Sequence, residues 1–326
     1  MKKEIKLPTL LIFATDIENR NNSKCEMKTT EKNKPLSLDY DVIRDKVELI
    51  AHEEFRSLHR GIGMVVSFAQ MGSELFCIGQ PYRTKESRII RLLQGKGRIS
   101  INLVEYEVSG QMLIVTPPNS LIELLEVSKD YNFQVIVTEN DFLPTVQGNS
   151  LKDVYGQHGS TFLLTTEEWE HTGKLFDLLW ETMHRTPFRR EVVQHLVTAL
   201  LYTIKYIRDQ RQTSTPPRIS RQEELFNRFI TLVNEHSKRE RNISFYADKL
   251  CLTPHYLSTI IREASGQTVM EWINQAVVLE AKVLLKHSDL LVFQISDELN
   301  FPNPSFFSKF FKRMTGMTPA EYQKQE

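Results

Sequence analysis

The last third of the chain contains an internal repeat, and this repeat restricts the fold more than any other feature. One copy starts at Tyr246 and reads YADKLCLTPHYLSTIIREASGQTVMEW. The other starts at Ile295 and reads ISDELNFPNPSFFSKFFKRMTGMTPAEY, with Pro302 as the inserted residue. The matched positions are Leu250 with Leu299, Pro254 with Pro304, Ser258 with Ser308, Arg262 with Lys312 and Gly266 with Gly316. Because polar, proline and glycine positions stay in step with apolar ones, the repeat predicts a duplicated structural unit.

Each copy has the pattern of a helix, a tight turn and a second helix, which is the layout of a helix-turn-helix unit. In the first copy a short helix is expected from Ser244 to Cys251, and the second helix begins near Pro254. Asn300 lies in the turn of the second copy, where a left-handed residue is needed, and Asn tolerates that conformation better than most residues. The expected N-caps are Thr253 and Asn303, and the expected C-terminal stops are Gly266 and Gly316.

The second helix of each unit, called here the recognition helix, has an apolar face and a polar face. The residues expected to hold it on the first helix are Leu257, Ile260 and Ile261 in one copy and Phe307, Phe310 and Phe311 in the other. The polar face follows one stripe at i, i+3, i+4 and i+7, and a helix fits the major groove of B-DNA. The predicted DNA-binding residues are His255, Ser258, Thr259 and Arg262 in the first copy and Asn303, Ser305, Ser308, Lys309, Lys312 and Arg313 in the second. Of these, Arg262, Lys312 and Arg313 stand near helix ends and suit phosphate contacts.

Charge is distributed unevenly, although the chain as a whole is neutral. Lysine and arginine total 41, as do aspartate and glutamate, so no overall positive field marks a nucleic-acid binder. Locally, residues 303–313 contain Lys309, Lys312 and Arg313 and no acid, whereas the first recognition helix has Arg262 offset by Glu263. The second unit is therefore expected to contribute more of the affinity that does not depend on DNA sequence.

Between the two units, Thr268 to Lys286 reads as one long helix. Its apolar face carries Trp272, Ala276, Leu279 and Val283. A rigid connector of this kind holds the two recognition helices at a set distance. Helices in successive major grooves on one side of DNA lie about 34 Å apart, so one monomer is expected to read two adjacent grooves.

The segment from Arg218 to Tyr322 resembles the AraC/XylS family of bacterial transcription regulators. The resemblance rests mainly on LNFPNPSFFSKFFKRMTGMTPAEY, and it is supported by LCLTPHYLSTIIREASG and AKVLLKHSDLLVFQISDELNF. It implies double-stranded DNA and RNA polymerase as partners, and base-facing roles for His255, Ser258, Thr259, Ser305, Ser308 and Lys309. Two positions depart from the family pattern: Asn300 replaces the usual Gly, and Val278 lies near a position that is often basic.

Residues 62–138 read mainly as short strands rich in β-branched and aromatic residues, which predicts a sandwich or a barrel. GKGRISINLVEYEVSG and MLIVTPPNSLIE resemble the two motifs of the cupin-like sensory domain found in many members of the same family. The resemblance implies a cupin-like barrel that senses a small-molecule effector or forms a homodimer. The positions of its metal ligands fall on or near Leu103, Glu105 and Ile122, so neither a metal nor another cofactor is expected.

Polar residues on these strands are candidates for lining the barrel interior, and the sequence leaves their direction open. The candidates are Tyr82, Arg83, Arg91, Arg98, Asn102 and Glu105. His52 and His59 precede most of the strands and are expected to have structural or surface roles rather than to bind a metal.

The expected fold class is α+β multidomain, with an N-terminal cupin-like β-barrel and helical hairpin followed by an all-α tandem helix-turn-helix domain. The expected boundaries are an extension at 1–38 that is disordered or mis-started ahead of Met27, a barrel at 39–164, a hairpin at 165–209, a linker at 210–220 and the DNA-binding domain at 221–326. Thr165 and Thr166 predict an N-cap, and Pro187 predicts the start of the second hairpin helix. The hairpin either packs on its own barrel or forms a dimer interface, and the pattern fits both.

Three classes of function are compatible with the residues: a DNA-binding regulator, a cupin enzyme with a helical appendage, and an adaptor whose helix-turn-helix units no longer bind DNA. The missing cupin ligands count against an enzyme, and the near-neutral C-terminal domain keeps the adaptor open. Three dispersed cysteines give no zinc or disulfide pattern, and the apolar run near the start is too short for a membrane span, which favours the cytoplasm. The sequence thus predicts a non-enzymatic, sequence-specific transcription regulator controlled by a small-molecule signal or by dimerisation.

Overall fold

The N-terminal half forms two antiparallel β-sheets. The computed structural model describes residues 53–70, 77–143, 159–214 and 221–324, so the expected extension at 1–38, Met27 and His52 lie outside the described residues. The strands are β1 Arg56–His59, β2 Ile62–Val65, β3 Pro81–Thr84, β4 Ser87–Gln94, β5 Lys96–Ile101, β6 Val104–Ser109, β7 Met112–Thr116, β8 Ser120–Val127, β9 Asn132–Thr138 and β10 Ser160–Leu163. One sheet has six strands in the order β1-β2-β9-β4-β7-β10, and the other has four in the order β3-β8-β5-β6.

The six-stranded sheet is buried on both faces, because its side chains alternate between two apolar layers. On β4, Ile90 and Leu92 face the four-stranded sheet, whereas Ile89 faces the helices of this half. The buried residues between the sheets are Val65, Leu92, Ile99, Ile101, Val108, Ile114, Tyr131, Phe133, Val135 and Val137. This double burial explains why strands such as β9 (NFQVIVT) read as nearly continuous apolar runs.

Within the described residues, the closed cupin-like barrel expected from the sequence is not formed. In the described strands, backbone pairing stops at β1 and β10 in one sheet and at β3 and β6 in the other, so the sheets stack face to face. Alternating side chains specify which faces stack, but closure depends on hydrogen bonds between edge strands, which a residue pattern does not reveal. The coarser prediction, a β-rich N-terminal region followed by a helical C-terminal region, is confirmed.

Two helices cover the outer face of the six-stranded sheet: α1 at Thr166–Met183 and α2 at Arg190–Ser214. Thr165 caps α1 and forms a capping box with Glu168, so the predicted N-cap is confirmed. The second helix begins at Arg190 rather than at Pro187, and it continues into the predicted linker at 210–220. Fully buried side chains of both helices, including Phe176 and Leu200, pack on the sheet.

The described part of the C-terminal region consists of seven helices. They are α3 Arg221–His236, α4 Ile243–Lys249, α5 Pro254–Ser265, α6 Val269–His287, α7 Val292–Glu298, α8 Pro304–Thr315 and α9 Pro319–Lys324. The first helix-turn-helix unit is formed by α4 and α5, the second by α7 and α8, and α6 connects them. Each turn contains a left-handed residue, Cys251 at φ 56° and Asn300 at φ 52°. The predicted duplication is confirmed.

Each unit has its own apolar core. The first core includes Phe229, Tyr246, Leu257, Ile261 and Trp272, and the second core includes Ile295, Leu299, Phe307, Phe311 and Tyr322. Phe310 differs from the prediction, because it is partly buried against the first core instead of holding α8 on α7. The apolar pattern of α8 identifies its buried side but not the neighbour that covers that side.

The four-stranded sheet contacts the C-terminal domain through the turn between β5 and β6. Leu103 in that turn has φ 73°, which is rare for a bulky residue, and its side chain is buried in the first core. Beside it, Nδ2 of Asn234 on α3 donates a hydrogen bond to the Asn102 carbonyl at 3.0 Å. The residue that stands at a cupin ligand position is therefore an interdomain contact.

An ionic cluster around one buried carboxylate reinforces this contact. Glu280 of α6 is 2% exposed and pairs with Arg83 of β3, and the Lys238 ammonium lies 3.0 Å from its second carboxylate oxygen. Burial lowers the pKa of Arg83 to about 10, so the guanidinium stays charged at neutral pH. At the end of α6, Nε2 of His287 lies 3.2 Å from the Pro81 carbonyl oxygen. Polar and apolar contacts thus tie β3 and the β5–β6 turn to α3 and α6.

The polar strand residues considered as interior candidates point in different directions. Arg83 leaves the sheet toward α6. Arg91 leaves it toward α1, where its guanidinium lies 3.6 Å from the Trp169 ring centroid. Arg98 and Glu105 form an exposed pair at 3.5 Å. These four residues therefore do not line the space between the sheets.

Candidate nucleic-acid interface

The helices α5 and α8 carry the residues predicted to bind DNA. Each begins at a proline that follows an N-cap, and the N-cap oxygen accepts a hydrogen bond from the third helical N–H, at 3.2 Å for Thr253 and 3.0 Å for Asn303. Each ends at a left-handed glycine, Gly266 at φ 73° and Gly316 at φ 85°. The predicted caps and stops are confirmed. Both recognition helices therefore begin and end in the same way.

The predicted DNA-binding side chains lie on the solvent side of both helices. The exposed ones are His255, Thr259, Arg262, Asn303, Ser305, Lys309, Lys312 and Arg313, and the half-buried ones are Ser258 and Ser308. On the opposite sides, Leu257 and Phe307 are fully buried. The structure therefore gathers each set into one outward stripe, called here the first stripe on α5 and the second stripe on α8. Their contact with bases or phosphates stays a prediction.

The hydroxyl groups of the first stripe bond to their own helix. Ser258 Oγ donates to the Pro254 carbonyl at 2.8 Å, and Thr259 Oγ1 donates to the His255 carbonyl at 3.1 Å. Their oxygen lone pairs stay available, so these side chains can accept hydrogen bonds from the amino groups of adenine or cytosine. In the second stripe, Lys309 is a donor, which suits the acceptor edge of guanine.

An acid follows each recognition helix and lies near its basic end. The carboxylates of Glu271 at the start of α6 and Glu321 at the start of α9 each accept a hydrogen bond from the backbone N–H of the threonine three residues before, and that threonine's hydroxyl oxygen accepts one from the glutamate N–H in return. These bonds are the main reason why the pKa of each carboxyl lies below its usual value, and the cations of Arg262 and Lys312 add to the effect at Glu271 and Glu321 respectively. Each carboxylate thus lowers the positive potential around the basic residue that acts on it. The sequence had pointed to Glu263 alone as the offset for Arg262.

An aromatic side chain is exposed on the first turn of each recognition helix. Tyr256 is 43% exposed and Phe306 is 60% exposed, and the repeat aligns the two positions. Apolar side chains can contact the thymine methyl group in the major groove. The sequence pattern did not single out this pair, because each aromatic lies four residues before another apolar residue, Ile260 or Phe310, and so fits the pattern of a buried face. Their match across the repeat was the available signal.

Of the two histidines that precede most of the strands, His59 is described by the structure, and it has a packing role. The His59 ring stacks on Phe188 with the centroids 3.8 Å apart, and its Nε2 lies 2.8 Å from the Met183 carbonyl oxygen. Across the described residues, no group of three or more His, Cys, Asp and Glu side chains could hold a metal ion. Within the same ranges, every helix is too short or too polar to cross a membrane.

Comparison with known proteins agrees with the helix-turn-helix geometry. A family model described as a helix-turn-helix domain matches residues 246–325. The chain is 31% identical over 146 residues to the HTH-type transcriptional activator RhaR of Escherichia coli (strain K12), and the match covers 44% of this chain and 50% of that protein. The chain therefore spans about half the length of the curated relatives it matches.

Two solved structures are similar to different shares of this chain. The DNA-binding domain of AdpA, in complex with a target DNA, is 22% identical, covers 30% of this chain and 88% of that chain, and has a TM-score of 0.29. ToxT from Vibrio cholerae O395 is 16% identical, covers 81% of this chain and 98% of that chain, and has a TM-score of 0.38.

Proposed function

We propose that this chain, whose C-terminal domain is an AraC-type helix-turn-helix domain, is a transcription regulator that binds double-stranded DNA sequence-specifically. The observation that carries the proposal is the pair of outward polar stripes on α5 and α8, joined by the continuous helix α6. One polar helix face is ordinary for a soluble protein. Two equivalent faces with the same caps are what a protein needs to read two adjacent major grooves.

The proposed roles divide each stripe between bases and phosphates. The residues proposed to face base edges are His255, Ser258, Thr259, Ser305, Ser308 and Lys309, and those proposed to contact phosphates are Arg262, Asn303, Lys312 and Arg313. Lysine donates to O6 and N7 of guanine, so Lys309 is expected to impose the clearest base preference. Tyr256 and Phe306 are proposed to add apolar contacts to thymine. Phosphate contacts set orientation and affinity, whereas base contacts set specificity.

The N-terminal domain is proposed to control how the two units are presented to DNA. Support comes from the burial of Leu103 in the first core and from the pairing of Arg83 with Glu280. Glu280 lies on α6, the helix that separates the two recognition helices, so a change at β3 or at the β5–β6 turn would act on that separation. A small-molecule effector bound by the sheets is one source of such a change.

A homodimer through the hairpin is the second proposed source of control. The outer side of α1 and α2 exposes large apolar side chains, namely Leu178 at 45%, Val192 at 44%, Tyr202 at 41% and Tyr206 at 65%. Scattered exposure is normal, but these four residues belong to one pair of packed helices, and a second copy of the hairpin could cover them. Dimerisation would place two C-terminal domains on one stretch of DNA.

Activation is the proposed direction of control, and RNA polymerase is the proposed partner. Activation rests on the sequence match to RhaR, which is named as a transcriptional activator, and RNA polymerase rests on the resemblance to the AraC/XylS family. The cytoplasmic location expected from the cysteine pattern also stays a prediction.

Selection of genomic DNA fragments by the full-length protein, at about physiological salt, tests the proposed function. The expected result is an enriched motif of two short blocks about one helical turn apart, with an affinity that falls as salt rises. Lys309→Ala should alter one block, whereas Lys174→Ala, which removes an exposed lysine from α1, should leave the motif unchanged. Absence of enrichment by a folded protein would favour the adaptor function instead.

A further inference from the structure

The two helix-turn-helix units touch each other at a second place besides α6. The loop at 237–242 leads from α3 into α4, the first helix of the first unit. This loop contacts the turn between α7 and α8 of the second unit. The Arg241 guanidinium donates hydrogen bonds to the carbonyls of Leu299 and Asn300, the latter at 3.3 Å. In return, Nδ2 of Asn300 donates to the Arg239 carbonyl at 2.9 Å.

Apolar contacts continue this junction inward. The Arg241 guanidinium carbon lies 3.8 Å from the centroid of the Phe301 ring, within the range of a cation–π contact. Phe301 packs against both the first and the second core, and Phe310 of α8 packs against the first. The two units are therefore joined by a strip of contacts that runs from Phe301, which borders both cores, to the surface.

The matching turn of the first unit shows what is special about Asn300. Cys251 occupies the same place in the repeat, has nearly the same φ, and carries an exposed free thiol. A left-handed residue is needed at both positions, and glycine would meet that need without strain. Asn300 differs from Cys251 because its side-chain amide also donates a hydrogen bond to the loop that leads into the first unit.

We propose that Arg241 and Asn300 are positioning residues that fix the angle and distance between the two recognition helices. This inference rests on the proposed DNA-binding function. With α6 as the single link, bending or rotation of that helix would let the two stripes shift relative to each other. The contact of Arg241 and Asn300 adds a second link at the turn between α7 and α8, so the protein accepts one separation of its two DNA blocks and rejects others.

The first experiment measures how full-length protein binds a series of DNA duplexes in which the two selected blocks are moved apart or together by single base pairs. The wild-type protein is expected to lose about tenfold in affinity for one base pair of displacement. Asn300→Gly keeps the left-handed backbone and removes the amide, so it should reduce that loss to about threefold while it binds the best spacing nearly as well. Arg241→Lys should act in the same direction.

Cys251→Gly is the matched control, because it makes the same kind of change at the same kind of turn without touching the other unit. It should retain the wild-type dependence on spacing. If Asn300→Gly also retained that dependence, or if Cys251→Gly flattened it equally, the proposed role of Asn300 would be wrong.

A second measurement needs no DNA and so separates this inference from the proposed function. Spin labels at Ala264→Cys and Met314→Cys, two exposed and equivalent positions, report the distance between the ends of α5 and α8. The native cysteines are replaced as Cys25→Ser, Cys77→Ser and Cys251→Gly in this background. The distance distribution should be narrow, and it should broaden with Asn300→Gly. An unchanged width would overturn the inference even if DNA binding were intact, and a broadened width would support it even if wild-type protein bound no DNA.

Discussion

The two helix-turn-helix units have the same order of helices but different surroundings. The first core is closed partly by Leu103, which comes from the N-terminal domain, whereas the second core is closed by α9 through Tyr322. Movement of the first unit would therefore disturb the β5–β6 turn, whereas the second core is built from residues of the C-terminal domain alone. The comparison teaches that two copies of one motif can differ in what closes their cores, because one core takes in a residue of the N-terminal domain and the other does not.

The second stripe also carries more positive charge than the first. Lys309, Lys312 and Arg313 lie on or near the second stripe, and the first stripe has Arg262 as its basic member. The carboxylates of Glu271 and Glu321 lie near the basic ends of both helices, so the difference between the units comes mainly from Lys309 and Arg313. Four predictions test how far the two units differ.

The largest expected effect comes from opening the second core with Phe307→Ala. Removal of a fully buried ring should cost about 3–5 kcal/mol, and Leu257→Ala in the first core should cost about 2–5 kcal/mol. Because Leu103 and α3 also support the first core, Phe307→Ala is expected to unfold α7 to α9 before the rest. Hydrogen exchange resolved by segment, together with urea unfolding, measures this. Equal loss of protection in both units would contradict separate cores.

The next effect concerns the anchorage of the first unit. Arg83→Ala leaves buried Glu280 with Lys238 as its remaining cation, and it should destabilise the interdomain contact by about 1–3 kcal/mol. Exchange should rise in α3 and α6 and stay unchanged in α8. Arg98→Ala is the control, because it breaks an exposed pair with Glu105 that is worth about 0–1 kcal/mol. A uniform response across the C-terminal domain would argue against a role confined to the first unit.

The third prediction separates specificity from general affinity. Lys309→Ala and Ser305→Ala should change base preference in one DNA block, by about 1–3 kcal/mol per affected base pair. Lys312→Ala and Arg262→Ala should weaken binding to all sequences, and each should reduce the salt slope by about one. Binding titrations against a library of block variants at several salt concentrations measure both effects. Unchanged binding in all four variants would show that the stripes do not face DNA.

The smallest effect is expected from Glu271→Gln and Glu321→Gln, two equivalent variants that each remove one negative charge. Each carboxyl has a folded pKa below its unfolded value, so its stabilising contribution is present above the unfolded pKa, about 4.5, and is lost as pH falls through the folded pKa. Glutamine keeps the capping bond but not the charge. Both variants should therefore show less acid destabilisation than the wild type in thermal unfolding between about pH 6 and pH 3. A response of one variant alone would show that the two capping boxes are not equivalent.

Sequence reasoning predicted the C-terminal domain better than the N-terminal one. The repeat predicted two units, their turns and the outward direction of both stripes, because helical periodicity relates each stripe to its own buried face. In the N-terminal half the same reasoning predicted a closed barrel where the structure has two stacked sheets. Strand patterns report which face of a strand is buried, and they carry no information on which edges pair.

Phe310, Leu103 and Asn300 make tertiary contacts that the sequence did not predict. Phe310 was expected to hold α8 on α7, yet it packs on the first core. Leu103 had been interpreted by its place in a cupin motif, and Asn300 by its tolerance of a left-handed backbone. Both also make contacts with residues far away in the chain, in the first core and at Arg239 respectively.

The sequence by itself determined the local structure of this protein. The N-caps Thr253 and Asn303 and the C-terminal stops Gly266 and Gly316 could be predicted because each acts on backbone groups within one helical turn. Only the tertiary structure decided that Leu103 enters the first core and that the two units meet at Asn300. The physical reason is that an apolar or amide side chain requires a partner but does not specify which one, and the packing of whole domains makes that choice.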